Sequence, residues 1–267
     1  MNQPDKIVTG KNKYSRFRFI RWPLTIFEES EELRREDFNI PQEAKSRKYP
    51  IRALRYWWLH CAIQEELERI KGSATIADVG CETGMLKRFT RGTEGNYWIG
   101  LDINLDREGL RSAGYDEIHA SDFDKPLPLE SERADIAVCS HVLEHVPRPE
   151  FTMGELARIL KPEGVMLIGV PVAPRFIALV REWQFAKEFR SGKRQRGQHA
   201  HAFWPKRLCA IAEKCGLHVE FLAGTYLLRH KGLFLEDHRS WIRINQVWGG
   251  LFPSLAQELC VQLRKPA

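Results

Sequence analysis

Short apolar runs alternate along the chain with longer segments of helical periodicity from residue 49 onward. Runs of four to six mostly apolar residues predict strands at 75–79, 97–101, 117–120, 134–139 and 165–170. Apolar residues at helical spacing predict helices at 52–71, 84–91 and 151–160. After a loop, a helix at 205–215 and strands at 218–222 and 259–263 complete the pattern.

Strands that alternate with helices predict βαβ units and hence a mainly parallel sheet. The expected fold is α/β: a Rossmann-like, doubly wound sheet of about seven strands with helices on both faces and an antiparallel last strand. In such sheets, ligands bind at the carboxyl ends of the strands, near the switch point in strand order. The loops that leave the first five strands are therefore the first places to look for a site.

Composition narrows the class of protein without naming a function. Of 267 residues, 43% are hydrophobic and 28% charged, as in a globular protein rather than a disordered one. The net charge of +6 is compatible with an anionic partner, but no nucleic-acid-binding module is visible, and we expect no nucleic acid partner. Six scattered cysteines without a C-x-x-C pair and an N-terminus without an apolar signal predict a reducing, cytoplasmic location.

Three segments stand out by charge or aromatic content. Residues 1–48 form a basic and then acidic extension, predicted to fold over the main domain of residues 49–267 or to act as a lid. Residues 181–207 hold eight basic side chains, which form a solvated surface or gather an anionic acceptor. Residues 241–255 are rich in aromatic and aliphatic side chains, which cap the sheet, lie on a membrane or form a dimer interface.

Acidic residues follow three successive strands at the expected ligand-binding edge. Asp78 ends the first strand and begins a turn in which Gly80 and Gly84 permit a close backbone approach to a ligand. Asp102 follows the second strand, where a carboxylate accepts hydrogen bonds from the vicinal hydroxyls of a ribose. Asp122 follows the third strand and could accept a hydrogen bond from an exocyclic adenine amine. Together they predict one nucleoside-binding edge.

These motifs resemble the class I S-adenosylmethionine-dependent methyltransferases. The matching runs cover residues 72–172: the first-strand turn, the second-strand acid, Ser121-Asp122-Phe123, the segment 135–146, and Leu156 to Gly164. The resemblance implies S-adenosylmethionine as cofactor and in-line methyl transfer to an oxygen of a small molecule, glycan or lipid. One departure is Glu82, which stands where the family usually has glycine.

The resemblance also implies the roles of individual residues. The loop of Gly80 and Gly84 would pass under the methionine part, with Asp78 near its amino group. Asp102 would hold the ribose. The implied cofactor-binding set is Asp78, Gly80, Cys81, Gly84, Asp102, Ile103, Asp122, Phe123, Ser140 and His141. Candidates for a general base are His141, His145, His199 and His201.

Several alternatives stay open from the sequence. The run from His141 to His145 also matches H-x-x-E-H, a zinc-peptidase pattern, but it follows a buried strand instead of lying on a helix. Some related quinone-pathway O-methyltransferases hold a divalent ion at this segment with an acid where His141 stands, and we predict no resident metal here. A nicotinamide-dependent dehydrogenase is disfavoured because the spacing of Gly80 and Gly84 does not match the G-x-G-x-x-G motif of such enzymes. An inactive methyltransferase-like partner subunit is the non-enzymatic alternative.

We expect a monomer or homodimer, with peripheral membrane contact as an option.

Overall fold

The structure, a computed structural model, describes residues 19–22, 24, 50–90, 92–191, 198–228, 235 and 238–267. Its strands are β1 Thr75–Val79, β2 Tyr97–Asp102, β3 Glu117–Ala120, β4 Ala134–Ser140, β5 Leu160–Pro171, β6 His218–Thr225 and β7 Glu258–Arg264. Its helices are α1 Pro50–Ile70, α2 Met85–Phe89, α3 Arg107–Ser112, α4 Pro149–Ile159, α5 Arg175–Arg190, α6 Pro205–Lys214 and α7 Arg239–Leu251. A 3₁₀ turn, Pro253–Leu255, leads into β7.

The seven strands form one sheet in the order β3-β2-β1-β4-β5-β7-β6. Neighbouring strands from β3 to β5 pair in parallel, whereas β7 runs antiparallel to both β5 and β6. The predicted fold class, including the antiparallel last strand, is confirmed. The strand order reverses between β1 and β4, and this reversal defines where a ligand cleft is expected.

The central strands are buried on both faces, which explains why they are continuous apolar runs. In β4, Ile136 and Val138 face one hydrophobic cluster, while Ala137 and Cys139 face the other. The helices α1, α2 and α7 contribute to the first cluster, and α4 and α6 to the second. The sheet is therefore a rigid layer whose carboxyl-end turns are held in fixed relative positions.

Two aromatic residues from the N-terminal extension belong to the main core. Phe19 is fully buried and Trp22 is nearly so, and both rings contact Trp57 of α1 and Phe221 of β6. The indole nitrogen of Trp22 donates to Glu65 Oε1 at 2.8 Å. These residues therefore pack on the main domain, while the division at residue 48 and the lid stay predictions. The basic run before Phe19 and the acidic run of residues 28–37 lie outside the described residues.

The structure differs from the sequence expectation in several elements: α3 and α7 were not predicted as helices, and three further elements differ as follows. The loop expected after β5 contains the helix α5, in which only Ala178 is buried. Strand β5 begins at Leu160 instead of 165, since residues 161–164 are an irregular part of the strand with a register shift against β4. Helix α2 is shorter than expected and ends at Phe89.

Helix α7 packs part of the aromatic C-terminal stretch against the sheet. Ile242 is buried on the sheet side, and Gly249 lies so close to β6 that an added Cβ would fall 1.8 Å from the Gly224 oxygen. The stretch therefore caps the sheet. None of the described helices has both the length and the apolar character that crossing a bilayer requires.

Candidate active site

The carboxyl-end turns of β1, β2, β3 and β4 open onto one cavity of about 820 Å³. This volume lies within the range of small-molecule sites, about 300–1,000 Å³. Nine of the implied site residues line it: Asp78, Gly80, Cys81, Asp102, Ile103, Asp122, Phe123, Ser140 and His141. His145 lines it as well, whereas Gly84, His199 and His201 do not. The structure thus brings the predicted strand-end residues together at the switch point.

The first turn adopts a left-handed backbone at three alternate positions. The φ angles are +87° at Gly80, +47° at Glu82 and +79° at Gly84. A Cβ at Gly80 would lie 2.3 Å from Val142 Cγ2, so glycine is needed for the turns after β1 and β4 to approach each other. The exposed Glu82 occupies a left-handed position, which is strained for a residue with a Cβ.

Asp102 ties the second turn to the first. Its Oδ2 accepts a hydrogen bond from the Glu82 backbone N–H at 2.9 Å, and its Oδ1 accepts one from the Asn104 N–H at 3.0 Å. Each carboxylate oxygen keeps a further lone pair for a ligand hydroxyl. Beside it, the Ile103 side chain is 37% exposed in the cavity and offers an apolar surface for a flat ring.

The third turn supplies an acid and an aromatic ring at the same cavity. Asp122 Oδ1 accepts from the Asp124 N–H at 3.3 Å, and the side chain stays half-buried. The Phe123 carbonyl accepts from Thr152 Oγ1 at 3.0 Å, which fixes the turn to α4. Asp122 is thus held by its own turn in the position from which it could contact a bound base.

Asp78 is a buried carboxylate with a raised pKa. It is 4% exposed and accepts a hydrogen bond from the Tyr115 hydroxyl at 2.5 Å. Burial raises the pKa of Asp78 to about 7, although the Tyr115 hydrogen bond opposes this rise and the Asp102 charge adds to it. A cationic group bound in the cavity would stabilise the charged form of Asp78.

His141 joins three elements through buried ion pairs. Its Nδ1 lies 3.2 Å from Glu144 Oε1, and its Nε2 lies 3.1 Å from Glu258 Oε1 at the start of β7. Arg55 of α1 lies 3.5 Å from the other oxygen of Glu258. Burial alone would lower the pKa of His141, but Glu258 and Glu144 outweigh it, and the net pKa is raised. With both ring nitrogens against carboxylates, His141 is better suited to holding these elements together than to accepting a proton.

Glu144, His145 and His199 form a second cluster beside the cavity. One potential ligand atom of each lies within 4.8 Å of the others, and the two imidazole rings meet edge to face. Glu144 is fully buried, and its Oε1 lies 3.2 Å from His141 Nδ1 and 3.7 Å from His145 Nε2. Burial lowers the pKa of His199, which favours the neutral form that metal ligands need. The three side chains could hold a divalent cation; the absence of a resident metal stays a prediction.

His201 lies behind this cluster and is engaged with other elements. Its Nε2 lies 3.2 Å from the Pro147 carbonyl, and its Nδ1 lies 3.6 Å from Glu182 on α5. Gly84 is the N-cap of α2, and a Cβ added there would lie 3.0 Å from Tyr115 and 3.2 Å from Leu110. Of the four predicted base candidates, only His145 and His141 reach the cavity.

Sequence reasoning missed the residues of helices α1 and α5 that line the cavity. Helix α1 contributes Arg55, Tyr56 and Leu59 to the cavity, and α5 contributes Phe189. The helical stripe of α1 was visible in the sequence, but nothing in it indicated which turn reaches the sheet edge. These helical residues are mainly apolar, in contrast to the acidic residues at the strand ends.

We expect that Gly80→Ala abolishes binding of S-adenosylhomocysteine, because the new Cβ would collide with Val142 and separate the first and fourth turns. Gly95→Ala is a matched control, since Gly95 has a similar φ of +80° with nothing within 4 Å of an added Cβ. Isothermal titration should show near-normal binding for the control. Equal losses in both variants would mean that backbone strain, and not the contact with Val142, decides the effect.

Known proteins with similar sequences point to one class. Residues 54–221 match the family model described as a methyltransferase domain. The chain is 28% identical over 163 residues to a ubiquinone biosynthesis O-methyltransferase of Thiobacillus denitrificans, an alignment that covers 56% of this chain and 66% of that protein. It is 30% identical over 169 residues to the protein of the same name from Hydrogenovibrio crunogenus, with 56% and 64% covered. The chain thus aligns with somewhat less than two thirds of either relative.

Solved structures agree on the fold. A crystal structure of an S-adenosylmethionine-dependent methyltransferase from Mesorhizobium loti superposes with a TM-score of 0.55 at 18% identity, covering 79% of this chain and 98% of that one. At this identity the likeness concerns the architecture of sheet and helices. The family model covers most of α1, all four strand-end turns and the first half of β6.

Proposed function

Because the chain belongs to the methyltransferase-domain family, whose members use S-adenosylmethionine, we propose that it transfers the methyl group of this cofactor to an oxygen of a small-molecule acceptor. The observation that carries the proposal is the meeting of four strand-end turns on one cavity. The oxygen acceptor is supported by the names of the curated relatives, which are O-methyltransferases.

The residues present fit the cofactor. S-adenosylmethionine combines a positive sulfonium and ammonium end, a ribose with vicinal hydroxyls and a flat adenine ring. The cavity offers the buried carboxylate of Asp78, the double acceptor Asp102, and the apolar side chains of Ile103 and Phe123 near Asp122. Acidic groups suit the cationic end, and the free lone pairs of Asp102 suit the hydroxyls.

The acceptor is proposed to carry an apolar or aromatic part. Besides the acidic turns, the cavity has an apolar wall formed by Tyr56, Leu59, Met85, Leu86 and Phe189. These side chains bury apolar surface and supply few hydrogen-bonding groups, whereas a glycan would need many. A phenol or a lipid-like alcohol therefore suits this wall better than a sugar.

The cofactor, when bound, supplies a methyl group that its sulfonium already activates, so the chain needs only to orient the reactants and handle a proton. We assign proton acceptance to His145, which lines the cavity with 34% of its side chain exposed. Glu144 Oε1 lies 3.7 Å from His145 Nε2 and would stabilise the imidazolium that forms.

A titration tests the proposal. Purified protein mixed with S-adenosylhomocysteine should bind one molecule per chain and show a rise in melting temperature. Incubation with methyl-labelled cofactor and a fractionated cell extract should then label an organic-soluble small molecule. Absence of both heat and thermal shift would favour the inactive partner-subunit alternative, and labelling of a polar glycan would contradict the apolar acceptor.

On the acceptor found in this way, we expect His145→Gln to lower kcat by about 10²- to 10⁴-fold, the usual contribution of a general base. Binding of S-adenosylhomocysteine should be unchanged, because His145 lies on the acceptor side of the proposed site. His119→Gln is the control: His119 also pairs with a carboxylate, Glu117, but lies in β3 outside the cavity. A kcat loss under about threefold at the pH optimum would exclude His145 as the base.

A further inference from the structure

Helix α5 exposes a continuous apolar stripe to solvent. Phe176, Leu179, Val180 and Trp183 follow each other at helical i, i+3, i+4 and i+7 spacing, which places them on one side of the helix. They are 71%, 49%, 55% and 65% exposed. We call these four side chains the outer face of α5. Large apolar side chains scattered singly are ordinary on a surface, but a contiguous stripe marks an interaction site.

The orientation of α5 is fixed by its opposite side. Ala178 is fully buried against Ala202, and Phe185 packs on the same small cluster. Glu182 accepts a hydrogen bond from the Ala202 N–H at 2.6 Å and pairs with Arg207 of α6. These contacts hold the helix by its inner side, so the outer face cannot turn inward without breaking them.

Basic residues continue the stripe. One turn beyond Trp183, the same side of α5 carries Lys187, whose Nζ lies 5.5 Å from the Trp183 ring centre, and then Arg190. The whole of α5 carries four basic side chains and two acidic ones. One of the two acids, Glu182, is turned toward Arg207. The outer face therefore ends in two basic residues, on a helix whose net charge is positive.

We propose that the outer face of α5 docks the protein on a lipid bilayer that contains anionic lipids. Helices of this type lie in the membrane interface with aliphatic and aromatic side chains inserted and basic residues near the headgroups. A second copy of the chain fits less well, because a two-fold dimer would bring this positive surface against itself. The outer face is also the convex side of a single helix and forms no groove for a peptide.

The position of α5 links this surface to the cavity. Phe189, one turn after Phe185, lines the cavity, and the stripe begins only a few residues after the end of β5. A docked protein would hold the cavity mouth near the bilayer. An acceptor with an apolar tail could then reach the cavity without crossing water; this consequence rests on the proposed function, whereas the docking itself does not.

The test is co-sedimentation of the full chain with vesicles of phosphatidylcholine containing phosphatidylglycerol, compared with phosphatidylcholine alone. We expect binding to the anionic vesicles and about tenfold or greater weakening in Phe176→Ser/Trp183→Ser, which removes apolar contact but no charge. The matched control is Ile244→Ser/Leu251→Ser, which removes two apolar side chains, each 47% exposed, from α7. The control should bind the vesicles like the wild type.

Titration with S-adenosylhomocysteine on each variant separates this proposal from the proposed function, because the outer face does not line the cavity. Normal cofactor binding together with weakened sedimentation supports docking through α5. The proposal is overturned by wild-type protein that fails to sediment, or by the α5 variant sedimenting as well as the control. A wild-type dimer in sedimentation velocity that the α5 variant dissociates would likewise overturn it in favour of a second copy.

Discussion

Asp102→Ala is expected to remove measurable binding of S-adenosylhomocysteine while the protein stays folded. Asp102 is the double acceptor proposed for the ribose, and charge-assisted hydrogen bonds contribute about 1.5–3 kcal/mol each. Losing two of them weakens binding by roughly 10²- to 10⁴-fold. The side chain also holds the Glu82 N–H, so the first turn loses a restraint in the same variant. Isothermal titration measures the affinity, and circular dichroism measures the fold.

Asp106→Ala is the control for losing a carboxylate that accepts a backbone hydrogen bond. Asp106 makes the same type of contact, since its Oδ1 accepts a hydrogen bond from the Gly109 N–H at 2.9 Å, but it caps α3 outside the cavity. The control should lose a little stability, about 1 kcal/mol for a lost N-cap, and keep its affinity. Unchanged affinity in Asp102→Ala would show that the ribose assignment is wrong.

The second large effect concerns pH. Because the pKa of Asp78 is about 7 in the folded chain and ordinary in the unfolded chain, the folded state holds a proton that the unfolded state has lost between about pH 4 and 7. A raised folded pKa contributes stability that is complete at low pH and disappears as the pH rises through 7. We expect the free energy of unfolding, relative to Asp78→Asn, to fall by on the order of 4 kcal/mol across this window.

The affinity for the cofactor should rise with pH, whereas the free energy of unfolding should fall. Only the ionised form of Asp78 can pair with the amino group of the methionine part, so affinity for S-adenosylhomocysteine should rise about tenfold from pH 6 to 8. Asp78→Asn should bind weakly at every pH and show no such rise. Chemical denaturation and titration at matched pH values measure both quantities. A wild-type affinity that is flat across this range would contradict the contact between Asp78 and the amino group.

The sheet could be predicted from sequence because its central strands obey a strong physical rule. A strand that is buried on both faces is apolar at nearly every position, as the run from Ile136 to Cys139 is. The strand-end acids could be predicted for a related reason: a parallel sheet brings the carboxyl ends of its strands to one edge. Asp78, Asp102 and Asp122 therefore met in one cavity, although they are far apart in the chain.

The parts that escaped prediction depend on contacts over long sequence distances or on exposed surface. No sequence pattern near His141 indicates that it pairs with Glu258, or that Glu258 pairs with Arg55. These partners come from β7 and α1 and meet only in the tertiary fold. Helix α5 was expected to be loop, although its apolar residues have helical spacing, and this spacing is the signal that could have found it. The same residues, exposed in the fold, form the proposed docking surface.

The most direct measurement of the central claim is a crystal structure of the chain with S-adenosylhomocysteine. The account predicts one ligand in the cavity, with its ribose hydroxyls on Asp102, its adenine beside Ile103 and Asp122, and its amino group near Asp78. A ligand bound elsewhere on the protein, or one whose ribose lies away from Asp102, would contradict the claim that these strand ends form a single adenosyl site.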